Sequence, residues 1–376
     1  MVSLESKDAL LQLVRLGIGT SKDAKISKDI NWEPVEALAE RQGLLGIIYD
    51  AVQELKGSRS SSQENFPPLT TWLRWMGKVM QGYEQRYALY RKAVADLAAW
   101  YHAHGYRMML LKGLACGVNW PKPEHRPYGD IDIFLFGKQS EADALMVQEY
   151  KVQGFKVDNS HHHHTVFQWQ GFTVENHYDF VNVHVHRSSR ELEGIFKGLA
   201  HTEDAFLGHT DSTDNTDICL PPANLHALFL VRHMVSHFSG ASMSLRQVLD
   251  WGFFVKAHHE EVDWKWLVGV LEKYHMKAFF DCVNAICVED LGIHPLEFKG
   301  LRVQEVQGAE MKQRVLNDTL SPEFSEETPK HVWKRVPFKY RRWRANRWKR
   351  ELCYEDGQLH SFLGGVWNHL LKPAGI

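Results

Sequence analysis

Two aspartates separated by a single residue open an apolar segment near the middle of the chain. Asp130 and Asp132 begin the run DIDIFLF, which is β-prone and otherwise uncharged. Alternate side chains of a strand share one face, with about 6.5–7 Å between their Cα atoms, so both carboxylates point the same way. Because burying unpaired aspartates is costly, the pair predicts a site for a divalent cation. Spaced acids on a surface strand would give the same short pattern.

A third acid is expected beside these two. Thr173, Glu175 and His177 alternate in the β-prone run FTVENHYDF, so Glu175 lies on one strand face, and a neighbouring strand could place it next to the aspartates. Three converging carboxylates predict a site for one or two Mg²⁺ ions, and Mn²⁺ would suit the same ligands. In that site Glu175 would be either a metal ligand or a general base.

Residues upstream of the aspartates are candidates for binding phosphate. Lys112 and Gly113 stand where a short apolar run, RMMLLK, gives way to a predicted helix, and a glycine there lets phosphate oxygens approach backbone N–H groups. Arg126 precedes the aspartates in a Pro-rich loop and could neutralise a triphosphate with its guanidinium. An ordinary surface arginine would look the same in the sequence.

The elements that must hold these residues form an α+β pattern. Apolar positions recur every three or four residues before Gly105 and again after Pro221, which predicts helices on both sides of a small mixed sheet. HTVFQWQ and FTVENHYDF flank Gly171 and predict a hairpin. The predicted regions are an N-terminal helical region (1–104), a catalytic core (105–190), a helical region packing on the core (191–300) and a C-terminal extension (301–376).

The motif-bearing segments resemble a known family. LLKGLACGVNWPKPEHRPYGDIDIFLF (110–136) is similar to the signature of the uncharacterised nucleotidyltransferase family, within the DNA polymerase β-like superfamily. VENHYDF (174–180) resembles the acid-and-histidine strand of that family. LHALFLVRHMVSHF (225–238) and SLRQVLDWGFFV (244–255) resemble its later helices. The likeness covers roughly residues 105–290.

The resemblance implies a nucleotidyltransferase-like mixed sheet and transfer of a nucleoside monophosphate from a nucleoside triphosphate to an acceptor, with release of pyrophosphate. The acceptor is left open: a small molecule, a sugar, a protein or an RNA end. The matching residues are Gly113 for the phosphate-side turn, Asp130 and Asp132 for the metal-binding pair, and Glu175 for the third carboxylate. The turn reads Lys-Gly-Leu at 112–114, where the superfamily more commonly has Gly-Ser.

Histidines concentrate after the predicted catalytic strand. The run His161 to His164 is followed by His177, His184 and His186. A polar loop beside the site is the preferred interpretation, and a zinc site remains an alternative because imidazole is a common zinc ligand. The sequence leaves three functional hypotheses. The first is the nucleotidyltransferase, the second is a non-catalytic protein of the same fold that binds nucleotides or nucleic acid, and the least favoured is a zinc-dependent hydrolase that uses these histidines.

Residues 331–350, HVWKRVPFKYRRWRANRWKR, contain basic and aromatic residues and no acid. Such a segment could contact RNA or DNA, or lie at a membrane surface. The preferred interpretation is a helix whose aromatic residues pack on the protein while its basic groups are solvated or paired with acids elsewhere.

Bulk composition excludes several classes of protein. The net charge of −2 indicates no global attraction to nucleic acid or anionic lipid. Five cysteines without a C-x-x-C pair are more typical of reduced thiols in the cytoplasm than of a disulfide framework. No uncharged stretch reaches the roughly 18 residues that span a bilayer. These features predict a cytoplasmic protein without a membrane span.

Overall fold

The first two helices of the chain begin at residues whose side chains cap the helix N-terminus. Ser3 and Asn31 are N-caps whose side chains accept hydrogen bonds from backbone N–H groups, and Gly43, with a φ of 69°, ends the second helix. Before residue 104 the described helices are α1 (Leu4–Gly17), α2 (Trp32–Gln42), α3 (Leu45–Gly57), α4 (Leu69–Val79) and α5 (Gln85–Ala103). The computed structural model describes residues 3–57, 66–184, 186–202, 218–298, 301, 309–324, 326, 329 and 331–355.

Within the described residues, five short strands form one mixed sheet in the order β3-β4-β2-β1-β5. Strand β2 is central and pairs with β1 in antiparallel and with β4 in parallel orientation, while β3 and β4 form the antiparallel hairpin. The strands are β1 (Met108–Leu110), β2 (Ile131–Phe134), β3 (His164–Trp169), β4 (Phe172–His177) and β5 (Ile218–Cys219). All four residues of β2 are buried, as the apolar run predicted.

The hairpin between β3 and β4 turns on two residues of positive φ. Gln170 and Gly171 have φ values of 47° and 85°, and Trp169 pairs with Phe172 across the turn. Two consecutive positive φ angles are the requirement of a type I′ turn, which glycine meets without steric cost. The predicted hairpin is confirmed.

Helices follow and interrupt the strands. Between β1 and β5 they are α6 (Leu114–Gly117), α7 (Gln139–Glu149) and α8 (Arg187–Ala200). After β5 they are α9 (Ala223–Gly240), α10 (Leu245–His258), α11 (Trp264–Lys273), α12 (Lys277–Ala285), α13 (Ala309–Leu320), α14 (Val332–Ala345) and α15 (Arg347–Cys353). The predicted α+β class is confirmed, whereas the nucleotidyltransferase-like details of the core stay a prediction.

Contacts among the described residues divide the chain into two units. One consists of Met1–Tyr87, Asn119–Pro127 and Val231–Cys353 and is helical. The other consists of Ala88–Val118, Tyr128–Leu230 and Tyr354–Ile376 and contains the sheet. The four consecutive regions named from the sequence stay a prediction, and residues 302–308 and 356–376 of the C-terminal extension lie outside the described residues.

Aromatic side chains fill the core of the sheet-containing unit. The ring centroid of Phe180 lies 4.5 Å from that of Phe134 on β2 and 5.3 Å from that of Phe196 on α8. Paired aromatic rings at such distances contribute about 0.5–1.5 kcal/mol each beyond their buried area. This packing holds the chain just after β4 against the central strand, where the acids of interest lie.

All five cysteines belong to the described residues; each is buried and none forms a disulfide. None of the helices in the described part of the chain combines the length and apolar character needed to cross a lipid bilayer.

Candidate functional site

Asp132 and Glu175 lie directly opposite each other on the two central parallel strands. The pairing of β2 with β4 aligns Asp132 with Glu175 and Phe134 with His177. Residues paired in this way point to the same face of a sheet, as do Glu175 and His177 two positions apart on β4. Asp132 is buried, whereas 26% of the Glu175 side chain is exposed. The structure thus places Glu175 beside Asp132 as strand alternation predicted, and their roles as ligands stay a prediction.

A chain of charged contacts connects these acids. The Nζ atom of Lys112 lies 2.6 Å from Oδ1 of Asp132. The Nε2 atom of His177 lies 3.3 Å from the same oxygen and 3.6 Å from Oε2 of Glu175. His177 therefore bridges the two carboxylates. The alternation of Glu175 and His177 in the sequence indicates that both side chains lie on one strand face. The prediction from the sequence nevertheless included His177 only as part of a zinc site.

Opposite charges keep Asp132 ionised despite its burial. Burial raises the pKa of Asp132, but the ammonium of Lys112 and the hydrogen bond with His177 outweigh it and hold that pKa well below its usual range. Burial lowers the pKa of His177, whereas hydrogen bonds to Asp132 and Glu175 raise it above its usual value. The site thus presents a buried carboxylate that is ionised near pH 7, and an ionised carboxylate is a suitable ligand for a hard divalent cation.

Asp130 occupies a different environment from Asp132. Strand β2 begins at Ile131, so Asp130 precedes it and is exposed. In the described part of the chain, Asp132, Glu175 and His177 have ligand atoms within 4.8 Å of one another, and Asp130 does not belong to this group. The structure brings Asp132 and Glu175 together, whereas Asp130 is exposed, directly before β2, and outside this group.

The turn after β1 has the predicted order of strand, glycine and helix. Gly113 has a φ of 65° and precedes the single turn of α6. A Cβ atom at this position would lie 2.1 Å from Oη of Tyr90. That hydroxyl donates a hydrogen bond of 2.9 Å to the backbone carbonyl of Asp130. Gly113 is thus required by its conformation and by the close approach of Tyr90, and its contact with phosphate stays a prediction.

Arg126 is held by a buried carboxylate. Its Nε and Nη2 atoms donate to Oδ1 and Oδ2 of Asp250 at 2.8 and 2.9 Å, and Nε1 of Trp120 donates to Oδ1 at 2.8 Å. Bidentate geometry of this kind gives strong, specific pairing. Sequence reasoning missed Asp250 as the partner because 124 residues separate the two side chains. The assignment of Arg126 to phosphate binding stays a prediction.

The histidine run leads into β3 and meets β4. His164 is paired across the hairpin with His177, and their ring centroids lie 5.1 Å apart. Burial, together with the charge of neighbouring His177, lowers the pKa of His163 to about 2 and that of His164 to about 4. Both imidazoles are therefore neutral near pH 7, and each keeps a lone pair on one ring nitrogen.

The basic aromatic segment forms α14 and α15. Phe338 is buried, and the exposed Arg341 pairs with Glu326 at 2.6 Å. Lys349 is completely buried and pairs with the equally buried Asp318 at 2.5 Å. These contacts support the preferred interpretation, in which aromatic groups pack on the protein and basic groups pair with acids. Contact of this segment with RNA or DNA stays a prediction.

Glu193 on α8 is expected to make stability depend on pH. Its Oε2 atom accepts hydrogen bonds of 2.9 and 3.0 Å from the backbone N–H groups of Phe180 and Val181. Burial, with the charge of Asp179, raises the pKa of Glu193 to about 7. The folded protein therefore binds more protons than the unfolded chain between the ordinary pKa of 4.5 and 7, so the stability contributed by Glu193 falls as the pH rises through this window.

The Glu193→Gln variant keeps an acceptor oxygen and removes the ionisation. We expect the stability of this variant relative to wild type to increase by about 3 kcal/mol between pH 4.5 and pH 8. Urea unfolding at several pH values measures this difference. Glu191→Gln, at an exposed position of the same helix, is the control and should show little change. A difference independent of pH for Glu193→Gln would contradict the argument.

Comparison with known proteins gives one match. A family model described as "Uncharacterised nucleotidyltransferase" matches residues 28–292, well over half of the chain. The matched span includes Lys112, Asp132 and Glu175 and ends before α13. No curated protein and no solved structure matches the chain.

Proposed function

Because the chain belongs to the uncharacterised nucleotidyltransferase family, we propose that it is a Mg²⁺-dependent enzyme that transfers a nucleoside monophosphate from a nucleoside triphosphate to an acceptor and releases pyrophosphate. The observation that carries the proposal is the alignment of Asp132 with Glu175 on neighbouring central strands. The family supports nucleotidyl transfer in general. The metal, the nucleotide and the cytoplasmic location are parts of the proposal.

The donor atoms fit a hard divalent cation. Asp132 and Glu175 offer carboxylate oxygens, which Mg²⁺ and Mn²⁺ prefer, and Asp132 is held ionised by its neighbours. Asp130, which directly precedes β2, is the proposed third carboxylate. When bound, the cation would neutralise phosphate charge and lower the pKa of a coordinated hydroxyl.

The protein's own residues would position the reactants. Lys112 holds the Asp132 carboxylate in place, and its ammonium is the proposed cationic contact for phosphate oxygens. In the proposed reaction an acceptor oxygen forms a bond to the α-phosphorus while the bond from that phosphorus to the bridging oxygen breaks, and pyrophosphate leaves. Glu175, which is partly exposed, would serve as a metal ligand or take the proton of the acceptor hydroxyl.

Glu175→Gln tests the proposal with little change of shape. The protein is incubated with α-labelled nucleoside triphosphates, Mg²⁺ and separate small-molecule, protein and RNA fractions. We expect transfer of label with equal release of pyrophosphate by the wild type. Loss of the carboxylate should reduce the transfer by about 10²–10³-fold, because the chemistry depends on this charge.

The control is Glu141→Gln, which changes an exposed glutamate of α7 in the same unit. It should transfer label as the wild type does. Equal transfer by wild type and Glu175→Gln would contradict the proposed role of Glu175. Label transfer without pyrophosphate release would contradict the proposed reaction.

A further inference from the structure

Three histidines form a second group of metal-ligating side chains beside the carboxylates. In the described part of the chain, His163, His164 and His177 each have a ligand nitrogen within 4.8 Å of those of the other two. The ring centroids of His163 and His164 lie 4.4 Å apart, and those of His163 and His177 lie 5.5 Å apart. Such a cluster matches the number and type of ligands found in three-histidine metal centres.

The backbone holds these imidazoles together. His164 and His177 face each other across the antiparallel pair of β3 and β4, so their side chains share a sheet face. His163 precedes β3, and its carbonyl accepts hydrogen bonds of 3.1 Å from the N–H groups of both Tyr178 and Asp179. The ligands are thus fixed by strand pairing and by a bend with two backbone hydrogen bonds. Such preorganisation favours binding of an ion.

Three ring nitrogens in this group have no hydrogen-bond partner among the described residues. His164 is only 6% exposed, yet neither its Nδ1 nor its Nε2 atom has a partner in the described part of the chain, and the buried Nδ1 atom of His163 has none there either. Buried polar atoms in folded proteins are nearly always satisfied, so unsatisfied nitrogens that converge on one place indicate a ligand. An ion bound to one nitrogen of His163 and to one nitrogen of His164 would satisfy a lone pair on each of these two rings.

We propose that His163, His164 and His177 form a nitrogen-ligand site for a transition-metal ion of the zinc class. Imidazole favours Zn²⁺, Co²⁺ and Ni²⁺ over Mg²⁺, whose preferred ligands are oxygens. Glu175, with Oε2 3.6 Å from Nε2 of His177, offers a carboxylate as a further ligand. The site shares His177 with the carboxylate group but does not rest on the proposed nucleotidyl transfer.

Titration of the full-length, chelator-treated protein with Co²⁺ tests this site directly. We expect binding of about one equivalent of Co²⁺, with the strong visible absorption of low-coordinate cobalt, and displacement by Zn²⁺ but not by excess Mg²⁺. His164→Asn and His163→Asn should each weaken binding by at least about 10-fold. His163 is only half-buried, so its variant preserves the test if His164→Asn fails to fold.

The matched control is His161→Asn, in the same run but outside the group of three, which should bind Co²⁺ as the wild type does. Absence of stoichiometric Co²⁺ binding by the wild type would overturn the site. So would wild-type affinity in folded His163→Asn or His164→Asn, or an equal loss in His161→Asn.

Asp132→Asn separates this site from the proposed nucleotide site. It should lose Mg²⁺-dependent nucleotide binding and keep stoichiometric Co²⁺ binding, weakened by at most about 10-fold because His177 loses a hydrogen-bond partner. Loss of Co²⁺ binding by a folded Asp132→Asn variant would contradict the separate nitrogen-ligand site.

Discussion

Replacing Asp132 with Asn is expected to reduce nucleotidyl transfer by about 10³-fold or more, because a neutral amide cannot hold a divalent cation beside Glu175. The same change should lower the free energy of unfolding by about 2–3 kcal/mol, since it leaves Lys112 and His177 without their shared carboxylate. This loss is smaller than the roughly 3–5 kcal/mol typical of a broken buried ion pair, because a fifth of the Lys112 side chain is exposed. Urea unfolding and labelled-nucleotide transfer measure the two effects.

A double variant separates the loss of stability from the loss of function. In Asp132→Asn/Lys112→Met the uncompensated ammonium is absent, so the double variant should recover about 1–2 kcal/mol relative to Asp132→Asn. Transfer should stay lost, because the carboxylate is still missing. Recovery of transfer together with stability would show that Asp132 serves the fold alone.

Gly113→Ala is expected to be the most destabilising small substitution near the site. The new Cβ would lie 2.1 Å from Oη of Tyr90, on a residue whose φ is 65°. Overpacking and left-handed strain should together lower the free energy of unfolding by about 2–5 kcal/mol. Displacement of the Tyr90 hydroxyl would also release the carbonyl of Asp130, so nucleotide binding should weaken in the fraction that remains folded. Thermal unfolding and nucleotide titration measure both consequences.

Gly137→Ala separates the cost of a positive φ from the cost of the contact with Tyr90. Gly137 has a φ of 84°, but a Cβ atom there would meet no atom of the described residues within 4 Å, so only the conformational cost of about 1 kcal/mol should appear. Removing the hydroxyl with Tyr90→Phe should recover part of the stability lost in Gly113→Ala. Equal losses in Gly113→Ala and Gly137→Ala would show that the contact with Tyr90 is unimportant.

Local sequence patterns were sufficient for the elements around the site. Helical periodicity predicted the helices before and after the sheet, and the runs around Gly171 predicted the hairpin, because both signals depend on residues close in sequence. Strand β5 was missed. It has only two residues, Ile218 and Cys219, and it is defined by its pairing with Met108 and Met109, more than a hundred positions earlier.

The candidate site was predictable in its residue types and less so in its pairings. Alternation placed Asp132 and Glu175 on strand faces, but only the parallel register of β2 and β4 shows that they are opposite each other. Nothing in the sequence indicated that Asp250 would engage Arg126, because side chains distant in sequence meet only through tertiary packing. The run DIDIFLF indicated a strand from Asp130, whereas β2 begins at Ile131, because a local sequence pattern does not fix the first residue of a strand.

The most direct test of the central claim is calorimetric binding of each of the four ribonucleoside triphosphates, with and without Mg²⁺, to the wild type and to Asp130→Asn/Asp132→Asn. It requires no knowledge of the acceptor. Mg²⁺-dependent binding of at least one nucleotide to the wild type, lost in a double variant that remains folded, is the predicted result. Failure of all four to bind the wild type, or equal binding by the folded double variant, would contradict a metal-dependent nucleotide site at Asp132 and Glu175.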